Sequence, residues 1–276
     1  MIGGYVLTRT VVRFRQLTLP RELNMEIGSL AIYARKIFDY FGLDIARQDK
    51  PFLEPEFVRY QQTCAPFTMV SRERLYAHFQ AINYVVTNKI EGDIVECGVW
   101  RGGTSMLGAL TLLGRQETSR NIWLYDTFAG MTEPTSSDVS PWDGDNAKRL
   151  WEANNAKDHN KWCFAPIEEV KSNLLSTGYP ADKTIFVKGD VAETLTTRLP
   201  EKIAVLRLDT DWYESTKAEM EILFPRLAKG GVILIDDYGA WKGCKKAVDE
   251  YIAANNIPLF LHRTDYTGRT AIKITA

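Results

Sequence analysis

The chain has 276 residues, 45% of them hydrophobic and 25% charged, with a formal net charge of −1. Those values suit one large α/β domain, or one domain with an N-terminal elaboration, and they remove the electrostatic case for nucleic acid or an anionic membrane as the main partner. Four widely separated cysteines, Cys64, Cys97, Cys163 and Cys244, form no CxxC, which speaks against a zinc site or a disulfide framework and for reduced thiols in a cytoplasmic protein.

Residues 1–70 read as irregular apart from one helix, "IGSLAIYARKIFDYFG", closed by Gly42. The N-terminus lacks the continuous apolar run and small-residue cleavage site of a signal peptide, and no stretch approaches the roughly 20 apolar residues that span a bilayer. "DKPFLEPEF" and "CAPFTMVS" hold several prolines and read as loops. Ser71 stands where an N-cap is wanted before a long helix, "RERLYAHFQAINYVVTNK".

From there strand and helix alternate. "GDIVECG" is a strand, "GTSMLGALTLLG" a helix and "NIWLYDT" a second strand. A long polar segment runs from Phe128 to about Cys163. "PIEEVKSNLLSTG" is a helix, "KTIFVKGD" a strand, "AETLTTRL" a short helix and "IAVLRLDTD" a strand. "STKAEMEILFPRLAKGG" reads as a helix, "GVILIDDYG" as a strand and "GCKKAVDEYIAANN" as a helix. "PLFLHRTD" and "TAIKITA" close the chain as strands. Strands that are continuously apolar are buried on both faces, so the pattern predicts a doubly wound parallel sheet. The last two strands have only a short turn between them and predict an antiparallel hairpin at the edge.

Glycines at the first strand-to-helix turn, Gly98, Gly102 and Gly103, let the backbone approach a ligand at the carboxyl ends of the strands. The spacing is neither GxGxxG nor a Walker loop. Glu96 precedes the turn, where it would repel a pyrophosphate and suits a cationic ligand. Asp126 ends the next strand, where a carboxylate holds a ribose diol, and Asp190 ends the third. Together they point to S-adenosylmethionine, which carries a sulfonium, an ammonium group and a ribose. The plainer reading is that these are turn glycines and acids at helix starts.

Asp209 and Asp211 end the fourth strand and Asp236 and Asp237 the fifth. Carboxylates this close cannot all ionise unless a cation joins them. Oxygen-only ligands favour Mg²⁺, with Ca²⁺ and Mn²⁺ compatible, and the lack of His or Cys argues against zinc. The competing assignment makes Asp211 a helix cap and Asp237 a turn cap. Asp138, Asp143 and Asp145 in the polar segment read as solvated loop residues. None of His78, His159 and His262 is expected to act in catalysis. Trp100, Trp212, Tyr213 and Trp241 flank the motifs and suit either a pocket wall or a core.

"VECGVWRGGTS", "LYDTFAGM", "LRLDTDWYEST" and "GGVILIDDYG" together resemble the macrocin and mycinamicin O-methyltransferase family, as do "TMVSRERL" and "CFAPIEEVKSNL". The resemblance covers about residues 55–275. It implies a Rossmann-like class I methyltransferase domain over residues 71–276. Its sheet has seven strands, mostly parallel, and a helical N-terminal extension over residues 1–70 serves lid and oligomer contacts. The activity implied is Mg²⁺- and S-adenosylmethionine-dependent methylation of a deoxysugar hydroxyl on a glycosylated natural product, in antibiotic biosynthesis. Asp209, Asp236 and Asp237 match the family's metal ligands, and Asp211 matches its general base. Glu96 and the turn after it, with Gly98, Trp100, Arg101, Gly102, Thr104 and Ser105, match the cofactor loop. Asp126, Thr127 and Phe128 match the ribose site, Asp190 an adenine contact, and Asp209 touches both metal and cofactor sites. Thr68 and Met69 fall in the segment that closes over the cofactor. A glycoside with a vicinal diol is the implied substrate, and a homo-oligomer the implied assembly.

Three other readings share parts of this pattern. A catechol-type methyltransferase has the same metal and cofactor. A phosphatase with an aspartate nucleophile has a DxD and a DD, but places its DxD after the first strand. A cofactor-binding module without chemistry would have no need of four intact aspartates.

Overall fold

The computed structural model describes residues 53–275 except 142, 143, 145 and 146. The helix expected over residues 27–42 lies outside them. Helix α1 (Pro55–Cys64) has Pro55 in its first turn, where the missing N–H costs nothing, so the proline read as a loop signal is instead a helix start. Phe57 and Cys64 bury completely in the same core as the helices that follow. Helix α2 (Arg72–Thr87) begins as expected: Ser71 Oγ accepts from the Arg74 backbone N–H at 3.2 Å.

Strands β1 (Asp93–Cys97), β2 (Ile122–Asp126), β3 (Thr184–Lys188), β4 (Ile203–Leu208), β5 (Leu227–Ile235), β6 (His262–Arg263) and β7 (Arg269–Ile272) form one sheet. Their order is β3-β2-β1-β4-β5-β7-β6. The first five are parallel, and β7 runs antiparallel to both β5 and β6. All six residues of β4 are buried, as a central strand covered on both faces requires. Between the strands lie α3 (Gly103–Gly114), α4 (Ala147–Ala153), α5 (Ile167–Leu175), α6 (Val191–Thr194), α7 (Tyr213–Ile222) and α8 (Lys242–Ala254).

Strand alternation sorts the core into two layers. Ile94, Leu124, Val205 and Val232 pack with Leu75, Phe79 and Ile82 of α2 and Met106 and Leu107 of α3. Val95, Tyr125, Leu206 and Ile233 pack on the other face with Met220 of α7 and Val248 of α8.

Three elements differ from the sequence reading. The helix expected to run to Gly231 stops at Ile222, because Pro225 cannot continue it, and Leu227 already pairs with Ile203 as a strand. The strand expected over residues 258–265 shrinks to two paired residues. The polar segment contains α4, which its composition hid. Among the described residues no helix is long and apolar enough to cross a membrane, and all four cysteines are free thiols.

Candidate active site at the carboxyl ends of the strands

A cavity of about 310 Å³ opens where β1, β2, β4 and β5 end. The first turn is tight: Gly98 has φ +80°, and a Cβ there would lie 1.9 Å from the Asp209 carbonyl oxygen, so only glycine fits. Asp126 is anchored beneath this turn. Its Oδ2 accepts from the Val99 and Trp100 backbone N–H groups at 2.7 and 3.0 Å, and its Oδ1 from that of Phe128 at 2.6 Å. Asp190 lines the cavity and caps α6, accepting from the Ala192 N–H at 2.9 Å.

Strand alternation puts Glu96 and Arg207 on the α2 face, and the register pairs them directly. Arg207 is only 2% exposed. Its Nη1 donates to Glu96 at 2.7 Å and contacts Asp209 at 2.8 Å, while its Nη2 donates to Asp236 at 2.5 Å. Arg74, from the first turn of α2, donates to the other oxygen of Asp236 and bridges to Asp265 at 3.0 Å. Two guanidinium groups therefore share in holding the acids together, so a metal ion is not their sole source of positive charge. The acids still outnumber them, for Glu96, Asp209, Asp211, Asp236 and Asp237 all line the cavity. Burial pushes Glu96 up to about 7 despite Arg207. Burial and the neighbouring Asp211 and Asp209 push Asp237 well above the usual carboxylate range.

Ligand oxygens of Asp209, Asp236 and Asp237 lie within 4.8 Å of one another. Asp237 Oδ2 is buried with no hydrogen-bond partner among the described residues. A buried, unsatisfied carboxylate oxygen is costly unless a cation reaches it. The three acids thus fit a hard divalent ion, and the donor set is the all-oxygen one that Mg²⁺, Ca²⁺ or Mn²⁺ takes.

Asp211 sits beside this cluster in a left-handed conformation, φ +67°. Its Oδ1 accepts from Trp241 Nε1 at 2.8 Å. Burial and the Asp209 charge raise its pKa to about 7. It does not cap α7. That role falls to Asp138, whose Oδ1 accepts from the Tyr213 N–H at 2.8 Å while its Oδ2 accepts from Thr135 N and Oγ1. Asp138 is fully buried, so the solvated-loop reading fails for it. Asp143 and Asp145 lie outside the described residues.

Of the expected cofactor contacts, Thr68, Met69, Glu96, Gly98, Trp100 and Thr104 line the cavity, as do Asp126, Thr127, Asp190 and Asp209. Four others do not line it. Ser105 is buried and donates to Glu96. Gly102 takes φ +88° at the start of α3. Arg101 pairs with Glu169 at 2.6 Å, and Phe128 is buried against Phe186. The sequence reading missed Arg74, Arg207, Trp162 and Asp138. Strand alternation was the available signal for Arg207, since it shares a face with Glu96 two strand positions before Asp209.

Behind the acid loop, Glu219 of α7 is fully buried and accepts from Thr210 Oγ1 at 2.9 Å. Burial pushes its pKa up to about 8 against that hydrogen bond. From about pH 5 to about pH 8 the unfolded chain ionises this group while the folded chain keeps it protonated, so stability falls as pH rises. Glu219→Gln keeps the acceptor for Thr210 and removes the titration. The variant is expected to gain about 1–3 kcal/mol on the wild type across that window, read from urea midpoints at both ends.

Comparison with known proteins places these features in a family. Residues 58–271 match Macrocin-O-methyltransferase (TylF). The 8-demethyl-8-(2,3-dimethoxy-alpha-L-rhamnosyl)-tetracenomycin-C 4'-O-methyltransferase of Streptomyces olivaceus is 34% identical over 219 residues, 79% of this chain and 80% of that one. The demethyldecarbamoylnovobiocin O-methyltransferase of Streptomyces niveus is 33% identical over 73% of both chains. The solved structure of the O-methyltransferase NovP superposes with a TM-score of 0.66 at 31% identity, covering 76% of this chain and 83% of its own. With a family match across most of the described chain and the S-adenosylmethionine-type methyltransferase fold beneath it, the protein belongs to the macrocin O-methyltransferase family and is an O-methyltransferase.

Proposed function

We propose that the protein transfers the methyl group of S-adenosylmethionine to a hydroxyl of a deoxysugar on a glycosylated natural product, with Mg²⁺ held by Asp209, Asp236 and Asp237. The observation that carries this reading is the convergence of those three carboxylates, one with an orphaned buried oxygen, beside Asp211. The rhamnosyl acceptor in the name of the Streptomyces olivaceus relative supports the sugar.

Asp126, held by three backbone N–H groups, keeps acceptor capacity for the ribose diol of the donor. Asp190 offers an acceptor to the adenine amino group. A divalent ion held by Asp209, Asp236 and Asp237 would lower the pKa of the acceptor hydroxyl. Asp211 has Oδ1 fixed by Trp241 and takes the hydroxyl proton on Oδ2. The bound donor would supply its sulfonium methyl to the acceptor's hydroxyl oxygen, with the ether and S-adenosylhomocysteine as products. Holding nucleophile and methyl in register supplies much of the rate. The remaining parts of the reading are a homo-oligomer, checked by light scattering, and a cytoplasmic location.

Treatment with EDTA is expected to lower S-adenosylhomocysteine formation on an L-rhamnoside by at least about 10²-fold, and added Mg²⁺ to restore it. Full activity in chelator removes the metal from the reading. Preference for a catechol over the rhamnoside removes the sugar.

A further inference from the structure

On the side of Asp211 the cavity is lined by Trp162, which two further tryptophans back. Trp162, Trp212 and Trp241 close a triangle with ring centroids 5.6, 6.3 and 5.1 Å apart and planes crossed at 68°, 63° and 71°. That is the edge-to-face geometry aromatic rings prefer. Trp212 is buried and donates its indole N–H to the Thr132 carbonyl at 3.0 Å, and Trp241 donates its own to Asp211. Trp162 is half-buried and lines the cavity.

Trp162 is also locked in place through its backbone. Its N–H donates to Asn160 Oδ1 at 2.9 Å, and its carbonyl accepts from the Met131 N–H at 3.1 Å. Asn160 is itself buried, and its Nδ2 donates to the Trp151 carbonyl and to Asn155 Oδ1, each at 2.8 Å. Gly130, at φ +84°, lets the chain cross so closely that a Cβ would lie 1.8 Å from the Asn160 carbonyl oxygen. A rigid indole held this way loses little conformational freedom when a ligand covers it.

A pyranose has two chemistries. Its edge carries hydroxyls, which the carboxylates handle, and its faces carry C–H groups, which need an apolar partner. A deoxysugar enlarges the apolar share. With a hydroxyl directed at Asp211, the ring needs a flat apolar surface next to that carboxylate, and Trp162, the member of the triangle that lines the cavity, supplies one. Resting on the sugar-acceptor reading above, we propose that Trp162 is the stacking platform for the acceptor's sugar ring and so a specificity-determining residue of this enzyme.

The probe is methyl α-L-rhamnopyranoside, which has a vicinal diol and no aromatic group, assayed on the full chain with Mg²⁺ and S-adenosylmethionine. Trp162→Ala is expected to raise the acceptor KM about tenfold, by more than it changes kcat, while the calorimetric Kd for S-adenosylmethionine stays within about twofold. Trp162→Phe keeps a flat face and most of the affinity. Trp162→Leu keeps apolar bulk without the face and behaves like the alanine variant. An unchanged acceptor KM in Trp162→Ala overturns the proposal. So does an equal loss of S-adenosylmethionine affinity, which assigns the ring to the donor site. If the alanine variant fails to fold by near-ultraviolet circular dichroism, equal KM values for the phenylalanine and leucine variants overturn it. A wild-type enzyme that methylates catechol and not the rhamnoside shows the acceptor reading itself to be wrong and takes the platform with it.

Discussion

Asp211→Asn is expected to lower kcat by about 10²- to 10⁴-fold and to leave the Kd for S-adenosylmethionine within about twofold. Asparagine is nearly isosteric, keeps a carbonyl oxygen for the Trp241 indole N–H, and tolerates the left-handed backbone found at this position. It cannot accept the hydroxyl proton. Single-turnover kinetics and calorimetry separate the two effects, and a variant that still turns over removes the base from Asp211. The pH profile carries a sign as well. As the proposed base the carboxylate must be ionised, and burial with Asp209 beside it holds its pKa near 7 when only protein groups surround it. A divalent ion at the cluster favours the ionised form. Activity in the loaded enzyme is therefore expected to fall on acidification, with its midpoint at or below about pH 7.

Arg207→Met is expected to destabilise the protein by about 3–5 kcal/mol, the usual cost of stripping the partner from a buried charge. Methionine replaces the apolar stem of the arginine and comes near it in volume, so the loss reports mainly the missing charge. Three carboxylates, Glu96, Asp209 and Asp236, lose a guanidinium at once. Unfolding in urea with and without Mg²⁺ makes the test specific. The ion proposed at Asp209 and Asp236 would replace part of the missing positive charge, so Mg²⁺ is expected to stabilise the variant more than the wild type. A variant as stable as the wild type in chelator means the acids are not held together by this arginine.

Much of the architecture follows from local pattern. Apolar runs such as "IAVLRL" can only be central strands, and β4 is buried along its whole length. Acids at the strand ends had to meet, because a parallel sheet collects its carboxyl ends on one edge, and Asp209, Asp236 and Asp237 do meet. Ser71 caps its helix through a contact three residues away. These features are legible because each depends on neighbours in sequence or on a repeating period.

What escaped the sequence depends on contacts between distant residues. Arg74 reaches Asp236 across 162 positions of chain, and Asp138 reaches the start of α7 across 75. The tryptophan triangle draws residues 162, 212 and 241 from three separate segments. The sequence by itself determined that carboxylates gather beside a glycine turn, since strand direction and periodicity are local properties. Only the tertiary structure decided which cations hold them and which rings wall them in, since burial makes an unpaired charge too costly to leave alone and packing chooses the partner.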